Sequence, residues 1–213
     1  MSEVRVLPGA LSVKRYGCGG ALFRSFPGSV VAVSKSGSQD AERVFLGLGS
    51  NLGDRLDNLR RAVMDVRETQ SVSLVAASGV YETAAHLLGA QPQNDFLNAV
   101  IEVRTTLEPK SLLEALLAIE HRLERTRHER WAPRTIDLDI LAFGSRVVDS
   151  ESMHIPHPRL GERRFVLEPW AEIAPDFHVP PPFNMTTAEL LRRCTDPHAV
   201  RRVHSASQLT PDQ

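Results

Sequence analysis

Cysteine is scarce in this chain. Only Cys18 and Cys194 occur among 213 residues. They form neither a CxxC pair nor a framework, so a disulfide-stapled scaffold is excluded and a reducing, cytoplasmic setting is expected. Net charge is nearly absent as well, at −1 from 25 Lys plus Arg against 26 Asp plus Glu. Bulk charge therefore gives no reason to expect nucleic acid or a membrane surface as a partner. No apolar run approaches the ~18 residues a membrane helix needs. The N-terminus lacks a signal-peptide core, because its apolar stretches are short and Arg24 interrupts them. The residues before Cys18 are Arg15-Tyr16-Gly17, not the small apolar residues expected ahead of a lipidated cysteine.

What is present is ordinary globular composition, with 42% hydrophobic and 24% charged residues. This excludes a collagen, a coiled coil and a wholly disordered chain. Such a length can bury a core without staples. Residues 1–40 carry five basic residues (Arg5, Lys14, Arg15, Arg24, Lys35) against Glu3 and Asp40, a net +3 that leaves −4 on the body. That basic leader is compatible with a transit peptide, but a disordered tail or an early start codon is the stronger expectation. Residues 1–42 are thus expected to be a Gly/Ser-containing extension, 43–203 the folded domain and 204–213 a tail.

Within the body, Arg43 to Gly49 reads as a buried strand and Ser50-Asn51-Leu52-Gly53-Asp54 as a turn that caps a helix. Leu56, Leu59, Val63 and Val66 follow at helical spacing. A single strand is expected over about 71–81, a loop over 84–94, and an alternating strand over 96–104. Pro109 suits the first turn of a second helix running to about 124. An arginine-rich loop then leads into a strand over 135–143. Residues 163–171 read as a short helix, Pro180-Pro181-Pro182 blocks regular structure, and Thr187 is placed to cap a last helix. Intermixed strands and helices joined by short turns predict an α+β layer fold with a largely antiparallel sheet.

Chemistry concentrates in Arg134-Thr135-Ile136-Asp137-Leu138-Asp139. Alternation along a strand puts Asp137 and Asp139 on one face, roughly 7 Å apart, with Ile136, Leu138 and Ile140 on the other. Two adjacent carboxylates repel, and burying them unpaired costs several kcal/mol. Hard oxygen ligands of this kind suit Mg²⁺, above all where phosphates complete the shell. A solvated strand face, or pairing with arginines, is the plainer account. Just upstream stand Arg122, Arg125, Arg127, Arg130 and Arg134 with His128 and Trp131. Guanidinium forks match phosphate oxygens; a solvated basic loop and an RNA-binding patch with Trp131 as a stacking platform are the competing accounts.

Three further features are weaker alone. His157 sits between Pro156 and Pro158 on a stiff loop, ahead of Arg163 and Arg164. Gly47-Leu48-Gly49-Ser50-Asn51-Leu52-Gly53-Asp54 fits neither standard nucleotide-loop pattern, and tight turning from strand to helix is its default explanation. Asn98 with Phe96 and Phe165 has the makings of an aromatic sandwich around a flat heterocycle, although core packing is the default for both rings.

Together these segments resemble the 6-hydroxymethyl-7,8-dihydropterin pyrophosphokinases of folate biosynthesis, over roughly residues 43–177. The carriers are Leu46 to Asp54, Tyr81-Glu82-Thr83, Asp95 to Val100, Arg130 to Asp139, and Pro156-His157-Pro158-Arg159-Leu160 through Arg163 and Phe165-Val166-Leu167. The resemblance implies a ferredoxin-like α+β fold, with helices packed on the faces of an antiparallel sheet. It implies transfer of pyrophosphate from ATP to the hydroxymethyl group of the reduced pterin, with release of AMP. Two Mg²⁺ ions are implied at Asp137 and Asp139. Thr83, Phe96, Asn98 and Phe165 are implied to hold the pterin. Glu120, Arg127, Trp131, His157 and Arg163 are implied at ATP, and Arg125 and Arg134 at the transferred phosphates with the two aspartates. A monomer with small-molecule substrates and neither a nucleic-acid nor a membrane partner is expected. Ala84-Ala85 departs from the family pattern, which usually has proline after the threonine, and Glu124 replaces a common glycine. The rival activities are an RNA-binding module on the arginine loop and a different metal-dependent nucleotidyl or phosphoryl transferase.

Overall fold

The computed structural model describes residues 40–84, 94–123 and 135–210. The 1–39 part of the N-terminal extension, the 85–93 part of the first loop and the 124–134 part of the arginine loop lie outside the described residues.

Strand β1 (Glu42–Ser50) ends in the turn that starts helix α1 (Arg55–Glu68). Gly53 adopts φ +61°, a left-handed conformation that favours glycine. Asp54 then caps the helix, its side chain accepting the Asp57 N–H. The expected strand over 71–81 is broken into β2 (Val72–Ala77) and β3 (Val80–Thr83). The break falls at buried Ser78, whose hydroxyl oxygen accepts the Val100 N–H of the neighbouring strand. A side chain thereby replaces one backbone rung, and the strand bends around it. Strand β4 (Phe96–Thr105), helix α2 (Pro109–Arg122) and strand β5 (Asp137–Phe143) complete the central unit.

The main sheet has the order β10-β3-β4-β1-β5, with β2 also on β4, and its pairings are all antiparallel. The run β1-α1-β2/β3-β4-α2-β5 in this order is the ferredoxin-like arrangement, as expected. One sheet face carries Val44, Leu46, Leu48, Leu97, Ala99, Ile101, Val103, Leu138 and Ile140 in one core with Leu59, Val63 and Val66 of α1 and Leu112, Leu116 and Ile119 of α2. The described residues cover the other face only in part. Short strands β6 (Val148–Asp149) and β7 (His154–Ile155) pair with each other, and a 3₁₀ turn over Leu160–Glu162 precedes helix α3 (Arg164–Ile173). Phe45, Val100 and Leu141 pack there against Leu167 and Trp170 of α3. Strands β8 (His178–Val179) and β9 (Met185–Thr186) flank the proline run, and helix α4 (Thr187–Arg193) adds Leu190 to this core. Thr186, not Thr187, caps α4 in a capping box with Glu189. Thr187 instead donates its buried hydroxyl to the carbonyls of Ala174 and Pro175.

The expected C-terminal tail is structured up to residue 210. Strand β10 (Val200–His204) extends the sheet beside β3, and helix α5 (Ala206–Leu209) seats Leu209 in the α1/α2 core. Edge pairing supplies what the sparse apolar content of Val200-Arg201-Arg202-Val203-His204 does not announce. Among the described residues no helix is long and apolar enough to cross a membrane.

Candidate active site

The uncovered part of the α3 face is a cavity of about 360 Å³. Its floor follows from register. Gly49 pairs with Asn98 on one side and Asp137 on the other; Gly47 pairs likewise with Val100 and Asp139. Directly paired residues share a face, so Asn98 and the two aspartates stand on one surface with glycines between them. Without side chains, Gly47 and Gly49 leave a trough where other residues would fill it. A Cβ on Gly49 would stand 3.4 Å from Asn98 Oδ1, and one on Gly47 would stand 3.1 Å from Leu141 Cδ2. The tight-turn account of the glycine segment therefore holds for Gly53 alone.

Asp137 and Asp139 both line the cavity, as strand alternation predicts. Arg163, at the start of α3, sends Nη1 to within 3.2 Å of Asp139 Oδ2, and its guanidinium stands 5.9 Å from the Phe165 ring centroid. Phe96 on β4 and Phe165 on α3 also border the cavity, Phe165 while packing against the α3 core as well. Asn98 Nδ2 donates to Thr83 Oγ1 at 2.9 Å. That leaves the Asn98 carbonyl oxygen on the Gly49 side of the trough.

His157 reaches the cavity from the loop before the 3₁₀ turn, its backbone N–H donating to Leu141 O at 3.0 Å. Its Nδ1 accepts the Arg159 N–H at 3.1 Å. In the neutral ring the proton is therefore on Nε2, which makes His157 a donor. Burial, reinforced by Arg163 and Arg159, lowers its pKa to about 4, so the ring is neutral at physiological pH.

Eight of the expected site residues thus meet in one cavity: Thr83, Phe96, Asn98, Asp137, Asp139, His157, Arg163 and Phe165. Glu120, expected at ATP, does not line it. It is 2% exposed, and its carboxylate accepts the Leu138 N–H at 2.8 Å, anchoring the aspartate strand to α2. Arg125, Arg127, Trp131 and Arg134 lie outside the described residues. Arg159, named only as part of the Pro156–Leu160 motif, lines the cavity, as do Asp196, His198 and Val200, which were not singled out from the sequence. Three of these belong to the segment expected to finish the domain, and no local pattern marks them.

Among the described residues no group of three or more His, Cys, Asp or Glu side chains forms a ready metal cage. The donors that are present nevertheless fit a hard divalent cation. Two carboxylates project from one strand into the same cavity, with room over the glycines for a ligand that supplies further oxygens.

Comparison with known proteins gives a consistent result. Residues 45–175 match the family model described as 7,8-dihydro-6-hydroxymethylpterin-pyrophosphokinase. The chain is 46% identical over 129 residues to the 2-amino-4-hydroxy-6-hydroxymethyldihydropteridine pyrophosphokinase of Bacillus subtilis, covering 61% of this chain and 76% of that one. It is 42% identical over 161 residues to the enzyme of the same name from Methylorubrum extorquens, covering 76% and 98%. The fold is similar to that of the crystal structure of Plasmodium falciparum HPPK-DHPS, with a TM-score of 0.56 at 14% identity. That match covers 74% of this chain and 46% of the Plasmodium chain, so the present chain spans less than half of it.

Proposed function

Because the chain belongs to the 7,8-dihydro-6-hydroxymethylpterin-pyrophosphokinase family, we propose that its cavity carries out that family's transfer with the residues found there. The protein is a pyrophosphokinase of folate biosynthesis that uses ATP as co-substrate. The hydroxymethyl oxygen of the reduced pterin bonds to the β-phosphorus of ATP. The bond from that phosphorus to the α,β-bridging oxygen breaks, AMP leaves, and the hydroxyl proton passes to solvent. One observation carries the assignment of residues: Asn98 and the paired aspartates stand on the same sheet face, on either side of a glycine floor.

In this reading the pterin lies over Gly49 between Phe96 and Phe165, and Asn98 with Thr83 reads its edge. The hydroxymethyl group then points toward β5. Asp137 and Asp139 would hold Mg²⁺, which when bound polarises phosphoryl oxygens and the attacking hydroxyl. We assign two ions to the pair, as the family resemblance implies. Arg163 and the neutral His157 donate to phosphate oxygens. Arg125, Arg127, Trp131 and Arg134 keep the roles the family resemblance implies. No side chain is needed as a strong base, and positioning with electrostatic stabilisation supplies the rate. The low cysteine content favours the cytoplasm. The mildly acidic body supports small molecules, not nucleic acid, as partners.

Incubation of the protein with Mg·ATP and 6-hydroxymethyl-7,8-dihydropterin should yield AMP and the pterin pyrophosphate. Formation of ADP, or of free pyrophosphate, would point to a different transferase.

A further inference from the structure

The cavity extends beyond what pyrophosphate transfer uses. Strand order sets its two ends. Asp137 and Asp139 are on β5 at one sheet edge, Val200 is on β10 at the other, and Asn98 on β4 is between them. Neighbouring strands are about 4.8 Å apart, so Asn98 is about two strand spacings from either edge strand. The reacting end is the β5 end. At the β10 end, Asp196 and His198 line the same cavity, and no step of the transfer employs them.

These two residues form a built pair. The Asp196 side chain is 6% exposed. Its Oδ1 accepts the His198 backbone N–H at 3.1 Å and stands 2.6 Å from the ring Nδ1. Its Oδ2 accepts the Arg164 N–H at 3.2 Å, at the first turn of α3 and one residue from Phe165. Burial pushes the Asp196 carboxyl up, but the hydrogen bonds from His198 and Arg164 outweigh it and hold the pKa below the usual range. With a carboxylate oxygen as acceptor the donor in this contact is the ring Nδ1–H, and a ring protonated there alone presents Nε2 as an acceptor. The segment is also tied down behind the pair. Arg201 pairs with Glu82 on β3, and Arg202 pairs with Glu172 on α3 at 2.8 Å. The imidazole, whose side chain is 45% exposed, lines the same cavity as Phe165 and Thr83, both of which the pterin reading uses.

We propose that His198, oriented by Asp196, is a specificity-determining residue for the heterocyclic substrate, accepting a hydrogen bond from a ring N–H or exocyclic amine at the cavity end away from the phosphates. The inference rests on the pyrophosphokinase reading and adds to it a residue of the C-terminal segment. Its rival is a purely structural pair that tethers the approach to β10 onto α3.

Steady-state kinetics on the full chain, varying each substrate in turn, separate these. His198→Ala should raise KM for hydroxymethyl-dihydropterin about tenfold, the worth of one hydrogen bond to a well-placed acceptor. KM for ATP, kcat and the thermal midpoint should stay at wild-type values. His198→Gln, whose amide oxygen restores an acceptor, should recover most of the loss. An unchanged pterin KM in His198→Ala, equal rises in both KM values, or a Gln variant no better than Ala would each overturn the proposal. A lowered thermal midpoint with kcat and both KM values changing together would assign the pair to tethering. Wild-type transfer is measured first. If it is normal while His198→Ala is indifferent, only this inference fails; if it is absent, the reading beneath it fails as well.

Discussion

The Arg163 guanidinium faces the carboxylate of Asp139, with Nη1 3.2 Å from Oδ2. One of the two acids that would hold a cation is thus already partly neutralised by an arginine. Incoming Mg·ATP offers each partner a better one, a phosphate oxygen for the guanidinium and a hard cation for the carboxylate. The pair is part-exposed and contributes no more than about 1 kcal/mol to the fold. Arg163→Ala should therefore leave the thermal midpoint unchanged while raising KM for ATP about tenfold. A rise confined to the pterin KM would assign Arg163 to the other substrate.

Asp139→Asn keeps the shape of the side chain and removes its charge. Cation binding at a transferring phosphoryl group supplies several kcal/mol, so kcat should fall about a thousandfold or more without loss of fold. Circular dichroism and AMP release measured together provide the check. AMP formation near the wild-type rate would end the metal-holding role of the pair.

Gly49 forms the floor between Asn98 and Asp137. A Cβ there meets only Asn98 Oδ1, at 3.4 Å, and a β-branched residue suits a strand. Gly49→Val should keep stability within about 1 kcal/mol of wild type yet fill the trough. The expected result is loss of pterin binding, read by titrating the pterin's fluorescence, with nucleotide binding retained. Undiminished pterin affinity would move the heterocycle elsewhere.

His157 gives a pH signature of stability. Its pKa is about 4 in the folded chain against an ordinary 6.5. Between those values the unfolded chain binds a proton that the folded chain does not. The stabilisation is fully present above about pH 6.5 and is lost as pH falls toward 4, by an amount on the order of 3 kcal/mol. His157→Gln should flatten the slope of unfolding free energy over that window. An equal slope in both proteins would assign it to other groups.

Local chemistry was legible where a short stretch carries both its structure and its purpose. Alternation around Asp137 and Asp139 put both acids on one face, because the two-residue repeat of a strand leaves no other choice. Pro109 and Asp54 marked helix starts for equally local reasons. Motif resemblance also indicated Asn98, Phe96, Phe165, His157 and Arg163, which meet in the cavity although they come from separate elements. Glu120 shows what resemblance leaves unsaid: its buried carboxylate accepts the Leu138 N–H and anchors the aspartate strand to α2.

Pairing across the sheet was beyond what linear order could reveal. Gly47 and Gly49 looked like turn formers until register set them between Asn98 and the aspartates. The single strand expected over 71–81 divides because Ser78 bonds to Val100, a residue 22 positions away. Strand β10 and the Asp196–His198 pair carry little local signal, since edge pairing and anchoring to Arg164 depend on partners far along the chain. Residue spacing thus put the paired acids on one face, and the motif resemblance indicated the reaction class and the groups proposed to serve it. Which of those groups share a cavity, how far it extends and what forms its floor follow from long-range hydrogen bonding and packing, which exist only in the folded chain.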